Sequence, residues 1–116
     1  MQPERAAKHL CDLERTIREI EEFTTGRNEA AVLGDRGLQL ILEREFEILG
    51  EALNRLSRDA PEMADRISHA HRIIGMRNVL AHGYDAVDHR ILWNAVTSRL
   101  PLLKDEVARL LDENLQ

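Results

Sequence analysis

Aromatic residues are scarce: Phe23, Phe46, Tyr84 and Trp93 are the four among 116 residues. The ring platforms on which RRM and OB-type modules stack single-stranded bases are therefore missing. Cysteine is scarcer still. Cys11 alone permits neither an internal disulfide nor a thiolate zinc cage. No charged-then-apolar export signal opens the chain, so a reducing cytoplasm is the expected setting. Uncharged apolar runs fall far short of the roughly 18 to 20 residues that a membrane span requires, and the net charge of −5 disfavours an anionic bilayer surface. What is present is 43% hydrophobic and 32% charged residue, in a length that fits one compact, soluble domain over residues 1–116.

The apolar residues recur at spacings of three and four, the period of a helix stripe. Ala7, Leu10, Leu13, Ile17, Ile20 and Phe23 or Thr24 predict a first helix over 3–24, with Pro3 in its first turn and Gly26 beyond its end. Residues 26–36 read as a connection in which Ala30 to Leu33 could form one turn. Leu38, Ile41, Leu42, Leu49, Ala52, Leu53 and Leu56 predict a second long helix over about 35–59, with Pro61 closing it or opening a short turn. Ser68 is the expected N-cap of a third, with Ala70, Ile73, Ile74, Leu80 and Ala81 on its apolar face and an end near Gly83. Asp88 caps a fourth, and Pro101 inside its pattern predicts a kink or a break before Leu103, Val107, Leu110 and Leu111. No segment alternates with period two. The fold class is all-α, an antiparallel bundle of four to five helices.

Charge is unevenly distributed. Residues 43–65 carry seven acids and three bases, whereas residues 66–90 carry four bases, two acids and four of the five histidines. An acidic total therefore leaves room for a phosphate ligand at one local cleft while arguing against broad coating of nucleic acid. On a helical wheel of the third helix Arg77 falls near the centre of the apolar arc. A guanidinium cannot shed its charge, so a core-facing arginine must meet an anion, a subunit boundary or a ligand cleft. The second helix holds a matching anomaly, Glu45, near the middle of its stripe, and Glu45 is the candidate ion-pair partner of Arg77 within one chain or across a dimer. Glu47 and Glu51 lie opposite that stripe, as a solvated face or one that docks a partner. Asn78 and His82 are four apart and share a face, but Arg77 and His82 are about 140° apart. Either the helix loosens at Gly83 and the long arginine wraps round, or, the favoured reading, two copies meet across a twofold axis and supply one composite site. His69 and His71, two apart and without an accompanying cysteine or spaced carboxylate, do not make a metal site.

The string Arg77-Asn78-Val79-Leu80-Ala81-His82-Gly83-Tyr84 is an R-N-x-x-x-H-x-Y motif at a helix end. It resembles the motif of the HEPN superfamily, and specifically of the HepT-like toxins paired with minimal nucleotidyltransferase antitoxins. The likeness extends upstream through Glu47-Ile48-Leu49-Gly50-Glu51-Ala52, Arg55-Leu56-Ser57 and Ile74-Gly75-Met76, and downstream through Val87-Asp88, Trp93 and Leu100-Pro101-Leu102-Leu103.

The resemblance implies a HEPN-like homodimer acting as an endoribonuclease toxin of a type VII-like toxin–antitoxin pair, with the motif of each subunit lining the cleft between them. It needs no metal and no cofactor, because the attacking 2′-hydroxyl belongs to the RNA. Arg77 and His82 would be the catalytic residues. Arg77 would bind the scissile phosphate, and His82 would act as general base or acid. Asn78 would orient His82 or bond a phosphate oxygen, and Tyr84 matches the position to which the cognate nucleotidyltransferase transfers AMP, silencing the toxin. The alternative is a non-catalytic helical subunit that presents substrate to such a nucleotidyltransferase.

Overall fold

The computed structural model describes residues 3–81 and 87–114, so the expected His82, Gly83 and Tyr84 lie outside the described residues. Among the described residues there is no strand, and no helix is long and apolar enough to cross a membrane. Helix α1 runs Pro3–Thr24, α2 Glu29–Leu33, α3 Arg36–Asp59, α4 Pro61–Ala64, α5 Ala70–Ala81, α6 His89–Asn94 and α7 Leu100–Asn114. The all-α class read from periodicity is the observed one.

Local chemistry accounts for most of these bounds. Gly26, at φ +77°, turns the chain out of α1 into a left-handed conformation that a side chain would resist. Asn28 and Asp35 cap α2 and α3 through their side-chain oxygens, which accept from the backbone N–H of Ala31 and Leu38. Asp88 does the same for α6, accepting from Arg90 N–H.

In these details the structure refines or departs from the helical pattern of the sequence. Ala6 rather than Ala7 is buried at the start of α1, and of the two alternatives at its end Thr24 is the buried one, because its hydroxyl satisfies itself on the Ile20 carbonyl at 2.7 Å, whereas Phe23 is left exposed. Ser68 does not cap α5. Its N–H and hydroxyl donate to Glu106 on α7, and His69, at φ +61°, turns the chain so that its own carbonyl receives Arg72 and Ile73 N–H. The interruption expected near Pro101 lies just before it, between α6 and α7, and α7 runs on through the proline. A π-helical turn, Ala95–Arg99, precedes it, in which Leu100 N–H reaches back to Ala95 O. This wider turn accommodates a residue that has no N–H to donate and whose ring crowds the preceding turn.

The core is a layer of α1, α3 and α7. Leu10, Leu13, Ile17 and Ile20 of α1 face Leu42, Leu49, Leu53 and Leu56 of α3, with Leu103, Val107 and Leu110 of α7 completing it. The helices alternate in direction, since His9 near the start of α1 bonds Asp59 at the end of α3 at 2.7 Å, and Glu21 near the end of α1 meets Lys104 near the start of α7. That His9 hydrogen bond holds the Asp59 carboxyl below the usual carboxylate range. Helix α5 lies outside this layer, against α3, and Ile73 is its one buried residue among those described.

Candidate active site

The position of Arg77 is set by a residue with no side chain. Gly50 is buried in the middle of α3 where α5 crosses closest, and a Cβ there would run into Arg77 Cβ and come within 3.0 Å of the Ile73 carbonyl. A glycine inside a long helix costs propensity and is tolerated where backbones must approach closely. Arg77 is thus pressed against α3 with its side chain 28% exposed.

The guanidinium meets an anion, as a core-facing arginine must, but the anion is Glu51 rather than Glu45. Arg77 Nη2 stands 2.6 Å from Glu51 Oε2, a charge contact that is not aligned as a hydrogen bond. Arg77 Nη1 donates to Asn78 Oδ1 at 2.7 Å, so among the described residues the amide of Asn78 braces the arginine. Glu51 also accepts from Arg55 Nε at 3.1 Å. Glu51 is therefore neither a purely solvated residue nor one reserved for a partner: one turn of α3 supplies both the glycine that admits Arg77 and the carboxylate that holds it.

Glu45 points elsewhere. It sits about 120° around α3 from Glu51, toward α1, where burial pushes its carboxyl up to about 7 and the neighbouring Glu19 carboxylate adds to the rise, while Arg15 and Arg44 oppose it. Its Oε2 is buried without a hydrogen-bond partner. The helical wheel correctly finds a carboxylate turned inward. It cannot tell that α1 and α5 cover different sides of α3.

Arg77 opens into a cleft of about 640 Å³ between α1, α3 and α5. Lys8, Asp12 and Arg15 of α1 form one wall, Arg44, Glu47 and Arg55 of α3 the other, and Ile48 and Ala52 lie between. Apolar periodicity does not single out this wall of α1; the signal for it is that Lys8, Asp12 and Arg15 share a face at helical spacing. On the other side of α5 is a second groove of about 530 Å³, mainly apolar, lined by Met76, Val79 and Leu80 of α5 with Ile91 and Leu92 of α6. Val79 and Ile91 are 47% and 56% exposed. Helix α5 therefore separates a charged cleft from an apolar groove.

A protein-family model described as "Ribonuclease HepT-like" matches residues 13–110. Among curated relatives, "Probable ribonuclease HepT" of Thermococcus cleftensis is 33% identical over 102 residues, covering 88% of this chain and 92% of that protein. "Putative RNase MJ1380" of Methanocaldococcus jannaschii is 28% identical over 98 residues, covering 84% and 89%. "Putative RNase TTE0752" of Caldanaerobacter subterraneus subsp. tengcongensis is 30% identical over 104 residues, covering 87% and 92%. No solved structure matches the chain at a significant level.

Proposed function

The chain belongs to the HepT-like ribonuclease family, and from that premise we propose that it is an endoribonuclease cutting RNA by attack of a ribose 2′-hydroxyl on the adjacent phosphorus. The observation that carries this reading is the presentation of Arg77: a braced, half-buried guanidinium facing a charged cleft rather than bulk solvent. Its planar fork of donors suits the non-bridging oxygens of a phosphodiester, whose negative charge is redistributed as the pentacovalent transition state forms. Phosphate entering the cleft competes with Glu51 for Arg77, while Asn78 keeps the fork oriented. His82, five residues on, is assigned the proton transfers: one imidazole nitrogen takes the 2′-hydroxyl proton, or its protonated form delivers one to the departing 5′-oxygen, both feasible for a group whose ordinary pKa is near 6.5. The products are a 2′,3′-cyclic phosphate and a free 5′-hydroxyl. No metal is required by these steps, because nucleophile and proton carrier are both supplied.

One helix does not bring an arginine and a histidine five residues apart onto the same small atom, so the composite site belongs to a homodimer. Tyr84, in this reading, is the regulatory position: a minimal nucleotidyltransferase antitoxin transfers AMP from ATP to its hydroxyl, and the added phosphodiester brings negative charge and bulk near the arginine.

Purified protein is expected to cut RNA in EDTA and leave 2′,3′-cyclic phosphate ends. Arg77→Ala and His82→Ala should each lower the rate by at least about a hundredfold while sedimentation still reports the wild-type assembly. Cutting retained in both variants overturns the site. A wild type that never cuts overturns the reaction and favours the substrate-presenting role. Incubation with the partner enzyme and ATP should add AMP mass to the wild type and none to Tyr84→Phe.

A further inference from the structure

The cleft that receives Arg77 carries more positive charge than one phosphate can use. Five cations line it against three carboxylates, in a chain whose net charge is −5. The carboxylates do not merely neutralise them. Asp12 lies between Lys8 and Arg15 at 3.2 and 3.0 Å, Glu47 holds Arg44 at 3.2 Å, and Glu51 is shared by Arg55 and Arg77. Each acid thus holds one or two basic side chains at the cleft and leaves their remaining N–H donors without a carboxylate partner among the described residues, with a surplus of positive charge on the walls. The side chains of Lys8, Arg15, Arg44 and Arg55 are 50% to 67% exposed, so an incoming anion can reach them, in contrast to the recessed Arg77.

Resting on the ribonuclease reading above, we propose that this α1–α3 cleft is a backbone track: Lys8, Arg15 and Arg44 bind phosphates of the RNA strand flanking the one held by Arg77. The span from Arg44 to Arg55 is about 16 Å along α3, and a stacked strand advances about 3.4 Å per nucleotide, so several consecutive phosphates fit. No aromatic residue lines the cleft and its floor is the aliphatic pair Ile48 and Ala52. The track therefore grips the sugar–phosphate chain without reading bases, and prefers flexible single strands that can follow a groove only one helix-pair wide. A continuous RNA strand engages several of these cations at once, which an isolated phosphate does not.

The test uses the full chain carrying His82→Ala, so that RNA stays intact, and a short fluorescein-labelled oligouridine followed by anisotropy. Combining Lys8→Gln, Arg15→Gln and Arg44→Gln should weaken binding about tenfold or more at about 0.1 M salt and flatten the dependence of log K on log salt by about 0.7 for each phosphate no longer neutralised. Arg18→Gln, Arg27→Gln and Lys104→Gln together remove the same formal charge away from the cleft and should change affinity less than about threefold. Circular dichroism melts establish that both triples remain folded. Wild-type affinity in the first triple, equal weakening in both, or no oligouridine binding by the parent each overturns the track. Competition by a polyglutamate peptide of equal charge as effective as that by unlabelled oligouridine overturns it as well, assigning the cleft to an acidic protein instead. Binding that depends on the cleft in a protein whose His82 form never cuts RNA sinks only the ribonuclease reading, whereas normal cutting with cleft-independent binding sinks only the track.

Discussion

Helix α3 makes two long contacts of opposite character. Toward α1 it offers Leu42, Leu49, Leu53 and Leu56, all fully buried against leucines and isoleucines. Toward α5 it offers Gly50 and Glu51, and receives Ile73 and an arginine. The first seam is held by area removed from water, which is non-directional and tolerant of small shifts. The second buries little and is defined instead by a close backbone approach and an ion pair, which are directional. A helix that must present a charged side chain to a ligand cannot also spend that face on the core, so stability is concentrated on one side of α3 and chemistry on the other. The site helix packs closely on α3 with Ile73 as its one buried residue among those described, and its geometry depends on a single missing Cβ.

The sharpest way to break this contrast is on the α1 side. Leu13→Ala removes a fully buried side chain and should cost about 2–5 kcal/mol of stability, read as a large fall in the denaturant midpoint; a change below about 1 kcal/mol would deny that this seam carries the fold. Gly50→Ala, on the α5 side, gains about 1 kcal/mol of helix propensity but forces α5 off α3, at about 1–3 kcal/mol. Its net stability loss should therefore be the smaller of the two, while RNA cleavage falls about a hundredfold because Arg77 is displaced. Unchanged cleavage would mean that the close approach is not what positions the arginine.

Glu51→Gln sharpens the comparison further. It keeps the size of the side chain and removes the charge that holds Arg77, so RNA should bind several-fold tighter as the competitor disappears, while kcat falls several-fold as the fork loses its orientation. A fall in KM together with kcat is the discriminating outcome, since a merely structural defect would raise KM. The smallest effect belongs to Glu45, the polar exception in the apolar seam. Its folded carboxyl titrates at about 7 against an ordinary 4.5, so the folded state holds the extra proton between those values. The stability it contributes is complete below about pH 4.5 and is lost as pH rises through 7. Glu45→Gln should flatten the melting temperature across pH 5–8 and raise it relative to wild type above pH 7; an unchanged pH profile would place that carboxyl in water.

Most helix bounds are legible in the chain, since they follow from local chemistry: Asn28, Asp35 and Asp88 each accept from a backbone N–H two or three residues on, and Gly26 adopts the left-handed turn only it enters cheaply. Ser68 misleads because its hydroxyl, instead of accepting from a backbone N–H of α5, donates to the Glu106 carboxylate thirty-eight residues away. Pro101 signals an interruption, and only the packing of Leu100 and Leu103 into the core shows that it takes the form of a π turn. At the site, the wheel identifies Arg77 as a charge facing inward but pairs it with Glu45, since a wheel ranks directions around one helix and carries no information about which neighbour fills each direction. A mid-helix glycine next to an acid, Gly50-Glu51, is the available signal for the true partner.

The amino-acid order alone settled the all-helical class, the extent of the two long helices α1 and α3, and the presence of the arginine-bearing motif, because these depend on residues close in sequence. Which carboxylate meets Arg77, and the gathering of Lys8, Arg15 and Arg44 into one cleft with it, were decided only by the packing of three helices. Their residues lie tens of positions apart, and distance through space between them is a property of how α1, α3 and α5 dock, which no periodicity encodes.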